Sequence, residues 1–135
     1  MVTDDLTTRW APRLLSVLRI VAAFMYITHG TQKLFGFPVL EPKAPAELFS
    51  MFGVAGVLET FGGLLLLLGL FTRPVAFVLA GEMAVAYFMF HFPKSFWPIL
   101  NGGEHAVLFC FLYLYLAAAG GGEWALDRVL ARRRP

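Results

Sequence analysis

Cysteine and charge are what this sequence has least of. Its single cysteine, Cys110, sits inside an apolar run, so no internal disulfide forms and a two-cysteine redox motif is excluded. The ordinary role of such a residue is that of a small buried hydrophobe. Charged residues make up 15% of the 135, against about 25% in soluble domains. No Gly-rich loop follows a strand pattern, which removes Rossmann and P-loop nucleotide binding. No serine stands in a G-x-S-x-G elbow, and none of the three histidines forms a c-type heme attachment. The formal net charge is +2, but its basic residues gather mainly in the terminal segments. They suit anionic lipid headgroups, and no recognition-helix or aromatic-basic groove pattern points to nucleic acid.

What the chain does have is hydrophobic residues, 59% of the total. They fall into long runs, which predict an all-α integral membrane protein: one domain, residues 1–135, folded as a four-helix transmembrane bundle. The spans are expected at 14–33, 51–70, 74–92 and 100–120, the last being marginal in length. Arg19 inside the first apolar stretch, and the lack of a small-x-small site before Gly30, argue against a cleaved signal peptide. Glu41 to Glu47 reads as a Pro-rich charged loop, and Gly69, Thr72, Arg73 and Pro74 mark a tight turn between the second and third spans. Phe92 to Gly103 reads as an aromatic loop at headgroup depth, with Trp10, Trp97 and Trp124 as interfacial anchors. Arg9, Arg13, Arg73, Arg128, Arg132, Arg133 and Arg134 fall on one side of this arrangement, and Lys33, Lys43 and Lys94 on the other. The arginine-rich side is therefore expected to be cytoplasmic, with both termini inside the cell.

The ionisable residues within the spans carry the most information. Arg19, Glu59 and Glu82 are expensive in hydrocarbon and should face the bundle interior with partners. At 1.5 Å per residue, Arg19 lies about 7 Å from the cytoplasmic end of its helix, and Glu59 and Glu82 lie about 12 Å deep. Arg19 is thus placed to reach Glu82, with Glu59 as a second carboxylate on the neighbouring helix. Arg19, Ala22, Tyr26, His29 and Lys33 recur at steps of three and four, which draws a polar stripe along the first helix. Gly56, Glu59 and Gly63 form a narrow face on the second, suited to close helix approach. Such a network either locks the helices together or forms a site. Two carboxylates close together in low dielectric do not both ionise readily, so one becomes able to take and release protons.

Nearer the extracytoplasmic side, His29, His91, Glu104 and His105 gather around the aromatic loop. His29, His105 and Glu104 are ligand types for zinc or iron, but their spacing matches no metal motif and no metal is expected. Taken singly, His91 reads as interfacial and Lys33 as snorkelling toward the headgroups. Asp127, just after a glycine run, reads as a local cap or a partner for the basic tail.

The chain resembles the DoxX family of small bacterial membrane proteins, from about Leu14 to Asp127. The resemblance rests on Arg19, on His29-Gly30-x-x-Lys33-Leu34, on Gly53-x-x-Gly56-x-x-Glu59-x-x-Gly62-Gly63, and on Gly69-x-x-Thr72-Arg73 with Glu82. It continues through His91, Asn101-Gly102-Gly103-Glu104 and the run Gly120 to Gly122 followed by Asp127. It implies a four-span membrane protein connected with redox stress and with quinone or thiol metabolism. Position by position it points to Arg19, Lys33, Glu59, Glu82, Glu104 and His91.

The favoured expectation is a membrane component of a quinone-linked oxidoreductase or redox-stress system. Glu59, Glu82 and Arg19 would carry the catalytic role, and His29, Lys33, His91, Glu104 and His105 would bind the cofactor, a quinone. Expected partners are membrane lipids, a soluble or peripheral redox protein that supplies electrons, and a second copy of the chain. A non-enzymatic scaffold or anchor subunit is the alternative. A small-solute or ion carrier ranks third, because no internal repeat or broken helix pair is visible.

Overall fold

The computed structural model describes residues 2–39 and 44–133. Glu41 and Lys43 of the charged loop and Arg134 of the tail lie outside these described residues. Within them every regular element is a helix. Helix α1 spans Val2–Phe35, α2 Met51–Leu68 and α3 Thr72–Lys94. Two shorter helices follow, α4 at Pro98–Asn101 and α5 at Glu104–Ala119, and α6 at Leu126–Arg132 comes last.

Among the described residues three helices are long and apolar enough to cross a bilayer: α1 from Thr7 to Phe35, α2 and α3. The expected fourth span, 100–120, is not among them. Gly102 adopts the left-handed conformation at φ +70° and breaks the helix between α4 and α5, leaving α5 with 16 residues. At 1.5 Å per residue that is about 24 Å, short of a hydrocarbon core of about 30 Å. The first helix also begins well ahead of Leu14, running through Pro12.

The described chain divides into two compact units. One holds α1, α2 and α6, and the other runs from Arg73 to Gly120 and holds the body of α3 with α4 and α5. In the first unit, α1 buries Ser16, Arg19, Ala22, Ala23 and Tyr26 along one face, at the three- and four-residue steps of a helical stripe. That face meets α2, whose small residues admit the backbone of α1. A Cβ on Gly30 would lie 2.6 Å from the Thr60 amide and 2.8 Å from the Gly56 carbonyl, and one on Gly63 would lie 2.6 Å from Ile27. Without a hydrophobic force between helices in lipid, such close backbone approach is the main source of helix association.

Helix α2 is not α-helical throughout, since Leu58–Gly62 widens into a π-helical turn. It ends at Gly69, at φ +69°, where the Gly69 amide donates to Leu66 O and the Leu70 amide to Leu65 O. This paired capping arrangement satisfies carbonyls that a helix end leaves orphaned. In the second unit, α3 carries its own π-helical turn at Tyr87–His91, and Arg73 donates to the carbonyls of Ala117 and Ala118 at the end of α5. Phe24, Phe61 and Phe77 are exposed large hydrophobic side chains in the three long helices. They are the surface that lipid covers.

Candidate functional site

The most chemically unusual position in the first unit lies where the far end of α1 meets the π-helical turn of α2. Glu59 is 2% exposed and its Oε1 accepts from Lys33 Nζ at 2.5 Å. Lys33 is 28% exposed along its side chain, so the pair reaches from the helix interface to the periphery. The other carboxylate oxygen, Oε2, is buried with no hydrogen-bond partner among the described residues, and so is the hydroxyl of the adjacent Thr60. Buried polar atoms are nearly always satisfied, and π-helical turns within α-helices recur at functional sites. The close seating of Gly30 against Thr60 and Gly56 sets the separation of the two backbones at this point.

A second buried charge sits near the opposite end of the same helix pair. Arg19 is 1% exposed, and its Nε donates to Gly121 O at 2.8 Å while Nη1 donates to Leu66 O and Leu67 O at 2.5 and 2.6 Å. The guanidinium fork therefore ties the last turn of α2 to the glycine run after α5. Around it, Ser16 Oγ accepts from the Trp124 amide at 3.0 Å, and Arg13 pairs with Glu123 at 3.0 Å. Asp127 accepts from the amides of Phe71 and Thr72, each at 2.8 Å. These are the donors that the start of a helix leaves without intrahelical partners.

The second unit holds a polar node of its own. Asn101 is buried; its side-chain amide donates to Ser95 O at 2.8 Å and to Tyr87 Oη at 3.3 Å, and its Oδ1 accepts from the Gly103 amide at 2.7 Å. His91 Nδ1 lies 3.1 Å from Asn101 O and its ring stacks on Tyr87. The node folds the aromatic loop between α3 and α5. Glu82 is half-buried on α3, and Glu104 and His105 are exposed on the first turn of α5.

Three expectations from the sequence are corrected by this geometry. Glu59 pairs with Lys33 and not with Arg19, whose Nε and Nη1 go to main-chain carbonyls. Lys33 turns into the pair where snorkelling was expected, because a buried carboxylate offers its ammonium a stronger partner than headgroup water. Asp127 is no local cap; it reaches amides more than fifty positions back in sequence. On the α1 stripe, Ala22 and Tyr26 are buried with Arg19, while His29 is exposed at its edge. Thr60, Tyr87 and Gly30's packing role were missed as site features. The signals for them were an i, i+1 pair of polar residues in an apolar helix and a glycine facing a G-x-x-G-x-x-E pattern. Among the described residues, no three His, Cys, Asp or Glu side chains gather as a metal-binding group.

Long apolar helices, a lipid-facing exterior and charges turned inward define a multi-pass helical membrane protein. Residues 14–92 match the family described as DoxX, and the chain belongs to that family. The match covers the region of the first three spans and stops short of the Asp127 limit expected from the motifs.

Among its relatives, an uncharacterized protein of Haemophilus influenzae is 46% identical over 123 residues, covering 88% of this chain and 92% of the relative. Inner membrane protein YqjF of Escherichia coli is 28% identical, covering 87% of this chain and 92% of its own. An uncharacterized membrane protein of Mycobacterium tuberculosis is 27% identical, with 98% and 94% covered. No solved structure matches the chain.

Proposed function

We propose that this chain is the membrane component of a quinone-linked redox system, and that Lys33 and Glu59 form its proton-handling centre. In this reading it is one domain with α5 as a short fourth span, held in the cell membrane with both termini in the cytoplasm. Electrons come from a soluble or peripheral partner. The observation that carries the reading is the Glu59 carboxylate, 2% exposed, with one oxygen on Lys33 and the other without a hydrogen-bond partner among the described residues.

A quinone headgroup needs hydrogen-bonding groups at its oxygens and apolar walls beside its ring. Glu59 Oε2 and the Thr60 hydroxyl, buried without a partner among the described residues, would supply the hydrogen-bonding groups together with the Lys33 ammonium. When bound, a quinone supplies reversible two-electron, two-proton chemistry. Glu59 holds or releases a proton at Oε2, and Lys33 balances the charge that remains on the carboxylate. The partial exposure of Lys33 gives the pair a route to the membrane periphery. Arg19, by contrast, acts through architecture, since its donors hold α2 and the glycine run in place.

The test is organic extraction of the protein, purified from its native membrane in mild detergent, with mass spectrometry for quinones. Near-stoichiometric quinone, lost in Glu59→Gln, supports the proposal. A blank across several mild detergents overturns it and selects the scaffold reading, which the purely architectural bonds of Arg19 and Asp127 favour.

A further inference from the structure

Helix α6 is seven residues long, yet its two sides differ in chemistry. Leu126, Val129 and Leu130 follow steps of three and four and share one side, while Arg128 and Arg132, four apart, share another. The apolar three are 39%, 41% and 47% exposed, and Trp124 just ahead of them is 54% exposed, so the chain leaves this stripe open. Arg128, Arg132 and Arg133 are exposed as well. The one acid in the helix, Asp127, is turned onto the amides of Phe71 and Thr72, which leaves a purely basic outward face.

The same bonds fix where α6 lies. Asp127 grips the turn after α2 through its carboxylate, and its own amide donates to Gly69 O at 2.9 Å. A turn between two spanning helices lies at headgroup depth. Trp10, under the Arg13 guanidinium at 5.7 Å, belongs to the same end of the unit, because Arg13 pairs with Glu123 beside Trp124. Aromatic rings with one polar edge gather at that depth.

We propose that α6 lies in the membrane plane and binds an anionic phospholipid, with Arg128 and Arg132 on its phosphate and Leu126, Val129 and Leu130 against its acyl chains. Each half of the helix is matched by one half of the ligand. A free phosphate satisfies the arginines but leaves the apolar stripe in water, and a zwitterionic lipid covers the stripe but brings no net charge to the arginines. An acidic protein surface likewise answers only the basic face.

The test follows thermal unfolding of the purified full chain in a nonionic detergent as phosphatidylglycerol, phosphatidylcholine, inorganic phosphate or polyglutamate is added. A ligand that binds the folded chain raises its Tm, and only phosphatidylglycerol is expected to do so. Arg128→Gln/Arg132→Gln should need about 25-fold more phosphatidylglycerol for the same shift, because each basic side chain near an anionic surface contributes about fivefold. Arg128→Lys/Arg132→Lys should keep most of the response. As a second variant, Leu130→Ser should weaken the lipid response with both arginines in place. An unchanged lipid dependence in the Gln variant overturns the proposal. So does an equal Tm rise with phosphatidylcholine, which marks a merely apolar contact, with phosphate, which marks a free-anion site, or with polyglutamate, which marks an acidic protein partner.

Discussion

The two ends of the α1 and α2 pair both bury a charged side chain, and they treat it in opposite ways. At one end Arg19 spends its Nε and Nη1 on the main-chain carbonyls of Gly121, Leu66 and Leu67. At the other, Glu59 places one oxygen on Lys33 and leaves its second oxygen, and the hydroxyl of Thr60, without a hydrogen-bond partner among the described residues. In a medium with no water, a fully bonded charge is a fastener. A half-bonded one has capacity left for a proton or a ligand, and this difference separates architecture from chemistry within a single unit.

The largest expected effect lies at the fastened end. Arg19→Met removes three hydrogen bonds made by a buried guanidinium and should destabilise the chain by on the order of 4 kcal/mol, read by thermal unfolding in detergent. Arg19→Lys should recover little of that loss, since a single ammonium cannot span Gly121 on one side and Leu66 with Leu67 on the other. A stable Arg19→Met protein would mean that the fork holds nothing together.

Next in size is Gly30→Ala, which tests the far end through its packing. The added methyl would lie 2.6 Å from the Thr60 amide and 2.8 Å from the Gly56 carbonyl, both main-chain atoms that cannot step aside. Overpacking of this kind costs about 2 kcal/mol, and moving α1 away from α2 should open Glu59. Carbodiimide labelling of Glu59, followed by mass spectrometry, should rise in Gly30→Ala. Unchanged labelling would show that the spacing of the two backbones does not control the carboxylate. Smaller again is Asp127→Ala, which removes a cap from the Phe71 and Thr72 amides and should lower stability by about 1 kcal/mol in the same unfolding assay.

These differences also explain how far the sequence could be read. The cost of charge in lipid singled out Arg19, Glu59 and Glu82 before any fold was known, and the α1 stripe through Arg19, Ala22 and Tyr26 was legible as helical periodicity. The partners were not legible. Arg19 bonds to main-chain carbonyls, which carry no sequence signal, and the π-helical turn at Leu58–Gly62 shifts the phase on which a side-chain pairing argument depends. Lys33 was placed by the general habit of lysines at helix ends, a preference that a buried carboxylate nearby overrides. The break at Gly102 was hidden for a related reason. A Gly-Gly pair before an apolar run marks a turn, but its left-handed φ, which separates α4 from α5, belongs to the folded chain.

The smallest effect on stability is expected where the effect on activity is largest. Glu59→Gln keeps the shape of the side chain and an acceptor oxygen for Lys33, and Lys33, at 28% exposed, has room to swing its ammonium toward the headgroups. Removing the carboxylate also removes its own desolvation cost, so the loss of stability should be about 1 kcal/mol or less. The amide takes no proton at neutral pH, so quinone-linked turnover in native membranes should fall by about a hundredfold, the scale of a lost acid-base group. Measured side by side with Arg19→Met, the two variants should then separate, one losing the fold and the other the chemistry. If Glu59→Gln loses folded protein in proportion to activity, Glu59 joins Arg19 as a fastener and the contrast between the two ends collapses.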